Sequence, residues 1–145
     1  MIVRIKKLHP DAVIPTYGKP GDAGMDLTAI EVERDPTGNY CYNTGLSMEI
    51  PEGHVGLLFP RSSNTKKALT LGNSVGVVDS GYRGPIIFKY RPVAYAHSHQ
   101  PEEPYAVGDR IGQIIIIPYP AIHFLEVNEL GESERGEGGF GSTGK

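Results

Sequence analysis

The chain has 145 residues, 39% of them hydrophobic, and a formal net charge of -3, a size that suits one domain around a single core. With 14 Lys and Arg against 17 Asp and Glu, it lacks the basic excess that non-specific binding of nucleic acid or an anionic membrane would use, so no nucleic-acid or membrane partner is expected and a polyanionic ligand needs locally placed Arg and Lys. The lone Cys41 excludes an intrachain disulfide and a cysteine metal cluster; without a signal-peptide block or an apolar run near the ~20 residues of a membrane span, the expected location is cytoplasmic and the expected mature protein is the whole chain.

Apolar residues come in short runs between the 19 Gly and 12 Pro, which predicts an all-β domain. Ile2–Lys7 alternates and reads as the first strand. Asp22 and Asp26 follow among glycines, where turn formation and a water-mediated Mg²⁺ contact are both open readings. Asp35–Asn39 is a turn, and Leu46–Ile50 and His54–Phe59 are strands. Pro60-Arg61-Ser62-Ser63 sets an Arg beside two hydroxyls at a strand end, either a surface turn or a clamp for phosphate, with Lys66 and Lys67 adding local positive charge. Ser63–Leu71 has room for one or two helical turns.

Val75–Val78 and Pro85–Tyr90 read as two strands of a hairpin turning at Ser80-Gly81. Asp79 either caps that turn or faces a water, and Tyr82 is an aromatic ring projected from the same end. Arg91–Gly108 is a polar surface loop in which His97 and His99 suggest zinc, with His54, His123 or Glu102 as further ligands at no recognisable spacing. Asp109 and Arg110 could pair, and Gln113 is a polar group needing a partner inside Ile111–Ile117, an apolar run expected at the centre of the molecule or at a subunit interface. Ile122–Val127 reads as a last strand. From Gly131 the chain is too polar and glycine-rich to order itself by burial.

That tail spells GxGxxG at Gly136–Gly141 and GxxxxGK at Gly139–Lys145, but neither sits in the strand-then-helix setting that a nucleotide loop requires. What survives is closely spaced backbone N–H groups, the Ser142 and Thr143 hydroxyls, the Arg135 fork, and Phe140, able to stack on a planar ring. The competing reading is a solvated tail.

The order of these segments is more specific than any one of them. Gly-Asp-Ala-Gly-Met-Asp-Leu, Pro-Arg-Ser-Ser, Gly-Val-Val-Asp-Ser-Gly-Tyr-Arg-Gly, Gly-Asp-Arg-Ile-Gly-Gln and Arg-Gly-Glu-Gly-Gly-Phe-Gly-Ser-Thr-Gly together resemble the five motifs of the trimeric dUTP diphosphatases, spanning about Pro20 to Gly144. The resemblance implies a distorted jelly-roll β-barrel over residues 1–130, a C-terminal arm over 131–145 closing on the active site, and a homotrimer with sites at subunit interfaces. It implies an enzyme that hydrolyses dUTP to dUMP and pyrophosphate with Mg²⁺, lowering dUTP and supplying dUMP for thymidylate synthesis.

By the same resemblance, Asp79 activates the attacking water, Tyr82 packs beneath the deoxyribose, and Asn73 with the backbone around Val78 reads the uracil edge. Arg61, Ser62, Ser63 and Gln113 hold the phosphates, and Asp26 reaches the Mg²⁺ hydration shell. From a neighbouring subunit come Arg135 on the terminal phosphate, Gly141, Ser142 and Thr143 beside it, and Phe140 over the base.

Three positions depart from the family's pattern. Gly81 replaces a common acidic residue and is expected to ease the turn, Gly112 replaces the commoner Ala and implies tight packing beneath its strand, and the Arg91–Val107 loop is long. Two other functions remain in view: a dCTP deaminase, which shares the fold but has Trp at the Tyr82 position and lacks the carboxylate of Asp79, and a non-catalytic dUTP sensor.

Overall fold

A computed structural model describes residues 1–94 and 103–139. Among them are the strands β1 (Arg4–Lys7), β2 (Met25–Thr28), β3 (Glu31–Arg34), β4 (Tyr40–Asn43), β5 (Leu46–Glu49), β6 (His54–Phe59), β7 (Leu69–Leu71), β8 (Gly76–Val78), β9 (Ile87–Pro92) and β10 (Arg110–Pro118). Among the described residues a 3₁₀ turn over Ser62–Lys66 is the one helical piece, and none of their helices is long and apolar enough to cross a membrane. The strands form two antiparallel four-stranded sheets, β2-β10-β6-β8 and β3-β4-β9-β7, with a β1-β5 ribbon. The fold is all-β and jelly-roll-like.

Alternation explains which residues meet in the core. Leu27, Leu58, Val78, Ile111 and Ile114 of one sheet and Tyr42, Leu69, Leu71, Phe88 and Tyr90 of the other are all buried, joined by Leu46, Met48 and Ile86. Tyr42, Tyr90 and Tyr105 pack ring against ring, with centroids 5.6–6.0 Å apart, an arrangement that adds to plain area burial. The Tyr90 hydroxyl donates to the Ile111 carbonyl at 2.7 Å and so links the two sheets.

The apolar run lies inside its sheet, β10 being bonded on one side to β2 and on the other to β6; Ile111 and Ile114 reach the core, while Ile117 at its end is exposed. The packing of this run accounts for Gly112, where a Cβ would overlap the Phe88 ring and lie 2.9 Å from the Phe59 carbonyl. The Asp35–Asn39 turn is also present, with Asp35 Oδ1 accepting from the Thr37 and Asn39 amides at 3.0 Å each.

Several expectations need correction. The first strand starts at Arg4, because pairing with β5 begins at Arg4↔Glu49 and leaves Ile2 87% exposed. The expected helical turns of Ser63–Leu71 stop at Lys66, since Leu69 and Leu71 alternate inward as β7 against β9. The Val75–Val78 and Pro85–Tyr90 strands are not a hairpin. β8 pairs with β6 whereas β9 pairs with β4 and β7, so the intervening turn carries the chain from one sheet to the other.

Ile122–Val127 forms no strand: after the Tyr119 amide bonds the Gly53 carbonyl at 2.9 Å the segment makes no ladder, and Phe124 is 96% exposed. Alternation alone cannot make a strand without a partner edge. The Arg91–Gly108 segment begins as β9 and ends with Tyr105 in the core; the length between, with His97 and His99, lies outside the described residues.

Candidate active site

The predicted site residues fall into two groups, one just past the C-terminal end of strand β6 and one along its partner β8 and the segments flanking it. At the C-terminal end of β6, β2 and β10 set Asp26 opposite Gln113, and Gln113 opposite Phe59. Pro60 then ends the strand and brings Arg61 to the same place. Arg61 Nε donates to Asp26 Oδ1 at 2.8 Å, and an Arg61 terminal nitrogen lies 3.4 Å from Ser63 Oγ. Gln113 Nε2 donates to the Pro60 carbonyl at 3.3 Å, the partner that a polar group in an apolar strand requires. Gly24 makes room for that amide, for a Cβ there would sit 2.5 Å from Gln113 Oε1.

Asp26, Arg61, Ser62, Gln113 and Gly24 line a cavity of about 430 Å³ together with Asp22 and Ile115. One guanidinium with its terminal nitrogens uncommitted to a carboxylate, a hydroxyl and backbone amides make this an anion-binding set. Asp22 takes the turn role, its carboxylate accepting from the Lys19 amide at 2.8 Å.

Along β8 and the segments flanking it, Asn73, Val78 and Tyr82 line a second cavity of about 520 Å³ with Leu58, Ile86, Phe88, Lys89 and Arg91. Its walls are mostly apolar with a few polar groups, the usual chemistry of a nucleoside pocket. The Tyr82 hydroxyl donates to the Pro85 carbonyl at 3.1 Å, and the ring lies close over Gly84, where a Cβ would meet Tyr82 Cζ at 2.6 Å. Ser74 adopts a left-handed backbone, φ 61°, in the loop that presents Asn73.

Asp79 stands between Val78 and Tyr82 on the sheet-to-sheet turn. Its carbonyl accepts from the Tyr82 amide at 3.0 Å, but among the described residues nothing hydrogen-bonds its exposed carboxylate. Asp79 therefore does not cap the turn with its side chain. Arg83 does the stapling instead, donating to the Ser80 and Tyr82 carbonyls at 2.6 and 2.9 Å. Gly81 is not needed for turning: its φ is ordinary and a Cβ would meet nothing within 4 Å.

Gly56 pairs with Val78, so Asp79 follows toward the start of β6, whereas Arg61 lies two residues past its end at Phe59, a separation on the order of 15–20 Å by the strand rise. Within one copy of the chain the carboxylate and the guanidinium are thus too far apart to touch one phosphate.

Arg135 is exposed and folds onto its own backbone, Nε donating to the Gly138 carbonyl at 2.9 Å, and it lines neither cavity. Phe140, Gly141, Ser142 and Thr143 lie outside the described residues. The Asp109–Arg110 pair does not form: Asp109 Oδ2 accepts from the Ala106 amide at 2.8 Å, while Arg110 reaches Asp26 Oδ2 at 3.1 Å. Among the described residues no group of His, Cys, Asp and Glu is arranged to hold a metal directly. Arg110, Arg83 and the Pro60 carbonyl were not legible as site components; their only signal is adjacency to the motifs.

The sequence profile of the dUTPase family matches residues 10–144. A deoxyuridine 5'-triphosphate nucleotidohydrolase of Solibacter usitatus is 40% identical over 149 aligned positions, covering 100% of this chain and 97% of that protein. One of Escherichia phage T5 is 39% identical, with 99% of both chains covered. Among solved structures, a mutant of the Staphylococcus bacteriophage 80alpha dUTPase with dUpNHpp superposes with a TM-score of 0.83 at 28% identity over 99% of each chain. A mutant dUTPase of phage phi11 of S. aureus, described with a structural Mg(II) ion, has the same fold at a TM-score of 0.73 and 24% identity, covering 89% of this chain and 98% of that one. The chain belongs to the dUTPase family, the enzymes that hydrolyse dUTP.

Proposed function

We propose that the chain works as a homotrimer with shared sites, in which water attacks the α-phosphate of dUTP with Mg²⁺ assistance to give dUMP and pyrophosphate, in the cytoplasm, removing dUTP and supplying dUMP for thymidylate synthesis. The observation that carries the shared site is the separation of Asp79 from Arg61 along β6. General-base attack needs the base within about 3.5 Å of the water and the water as near to phosphorus, a reach that the strand path exceeds several-fold. The nucleoside cavity of one copy is completed by the phosphate cavity of another. The exposed Ile122, Phe124, Leu125 and Leu130 favour burial against a further copy, since several large apolar side chains left open in one segment are costly to keep in water.

In this reading Tyr82 lies beneath the deoxyribose and leaves no space for a 2′-hydroxyl, while Asn73 and the Val78 backbone hold the uracil edge. Asp79, with its carboxylate uncommitted, orients the water and accepts its proton. Arg61, Ser62, Ser63 and Gln113 grip the phosphate chain and draw off charge as the bond to the leaving pyrophosphate breaks. The 131–145 arm of a neighbouring copy adds Arg135 at the terminal phosphate, Gly141, Ser142 and Thr143 beside it, and Phe140 over the base, excluding bulk water.

The donor set suits Mg²⁺ held through water and not by direct ligation. Both Asp26 oxygens already accept from arginines, which leaves each a lone pair for an ordered water but spends the carboxylate's charge. When bound, the ion would screen the triphosphate and fix its conformation.

The test is pyrophosphate release from dUTP, dTTP, UTP and dCTP, each with Mg²⁺ and with chelator. Release from dUTP alone, lost with chelator, is expected. Ammonia from dCTP would replace this reading with deamination, and dUTP binding without release would replace it with the sensor.

A further inference from the structure

We propose that Arg110 is a positioning residue for the phosphate half of the site, acting through Asp26 to hold the Arg61 guanidinium in place and to keep the cluster positively charged. The inference rests on the assignment of the Arg61 cavity to the triphosphate.

Its origin is a β-bulge. Gln113 faces Asp26 and Gly112 faces Leu27, but Arg110 and not Ile111 stands opposite Thr28. In a regular ladder Ile111 would share the face of Asp26 and Arg110 would point to the other one. The extra residue reverses this: Ile111 drops into the core with no exposure, and Arg110 gains the face and diagonal position from which it reaches Asp26 Oδ2 at 3.1 Å. The preceding turn keeps Asp109 out of competition, because that carboxylate is occupied by the Ala106 amide.

Arg110 does not line the cavity itself; its side chain is 61% exposed, against 26% for Arg61. The Arg61–Asp26–Arg110 cluster carries two positive charges and one negative. With Arg110 in place a phosphate meets a net positive cluster whose Arg61 is anchored through Nε, leaving the terminal nitrogens to face the ligand. Without it, Asp26 and Arg61 neutralise one another, and the carboxylate becomes free to draw the whole guanidinium onto itself and to repel phosphate.

The test uses the full-length protein as Arg110→Gln and Arg110→Lys, with calorimetric binding of dUpNHpp and of dUMP, steady-state kinetics, and thermal melting with size exclusion as a check on assembly. Arg110→Gln is expected to weaken dUpNHpp about tenfold while dUMP changes less than about twofold, and to raise KM for dUTP more than it lowers kcat. Arg110→Lys, which keeps the charge without the fork, recovers part of the loss. Equal losses for the two ligands, or no loss for either, overturn the proposal; should Arg110→Gln fail to assemble, the Lys variant decides by the same ratio. Arg61→Gln separates the two levels. If it binds dUpNHpp as the parent does, the phosphate assignment itself is wrong.

Discussion

Complementation between two inactive variants tests the shared site. Asp79→Asn removes the proposed water-orienting base, and Arg61→Gln removes the proposed phosphate clamp; each alone is expected to be nearly inert. The pairing of Gly56 with Val78 leaves on the order of 15–20 Å between the two positions in one copy, so under the proposed arrangement each site draws them from different chains. In trimers assembled at random from equal amounts of the two variants, a site is whole when the Asp79 donor is an Arg61→Gln chain and the Arg61 donor is an Asp79→Asn chain. Each condition holds half the time, so the mixture should recover about one quarter of parental activity per site. Co-refolding or co-expression, followed by pyrophosphate release at saturating dUTP, reads this directly. Activity no higher than the mean of the two separate variants would refute the argument, because a site built within one copy cannot be restored by mixing.

Alone, Asp79→Asn should lower kcat by about 10²–10⁴-fold with dUpNHpp affinity kept within a few-fold; unchanged turnover excludes Asp79 as the base. Deleting residues 135–145 should reduce turnover by about 10²-fold or more without lowering the melting temperature, and normal hydrolysis by the truncated chain would assign the arm no role. Gly112→Ala should destabilise by about 1–3 kcal/mol and lower Tm by several degrees, because the buried Phe88 and the Phe59 carbonyl leave no room. Phe88→Leu in the same chain should relieve much of that cost, and additive effects on Tm would show that the two sites do not touch. Burial holds the Tyr42 and Tyr90 hydroxyls well above their ordinary value of 10. Their contribution to stability is therefore complete below pH 10 and is lost as pH rises, since the unfolded chain ionises first. Denaturant melts at pH 9 and pH 11 should differ in that direction, and Tyr90→Phe should flatten the difference.

Much of the site was readable because the chemistry demands particular residues next to one another. Arg61 with its two serines, and Asn73 through Tyr82, are contiguous in the chain and stay contiguous in space. The strands carried by plain alternation, such as His54–Phe59, were readable for the same local reason. What escaped depends on pairing. Nothing within Val75–Tyr90 says that β8 and β9 join different sheets, because that is decided by the edges offered by β6 and β4. Met25–Thr28 sat hidden among glycines, and its strand character comes from Gln113 and Ile114 on β10. Arg110 looked like the partner of its neighbour Asp109, since a one-residue bulge that turns a side chain to the opposite face leaves no local mark. Ile122–Val127 shows the converse, a strand pattern with no edge to pair with in its own copy.

That unpaired segment bears on the life of the newly made chain. A solitary copy exposes Phe124 and Leu125 almost completely, at 96% and 84%, and under the proposed arrangement it also lacks a working site. Such a chain is sticky and idle together, exposed to chaperone capture, proteolysis and self-association until it meets its own kind. Assembly would then be the maturation step, and the minimum useful expression level would be set by the encounter rate of identical chains rather than by the supply of nucleotide.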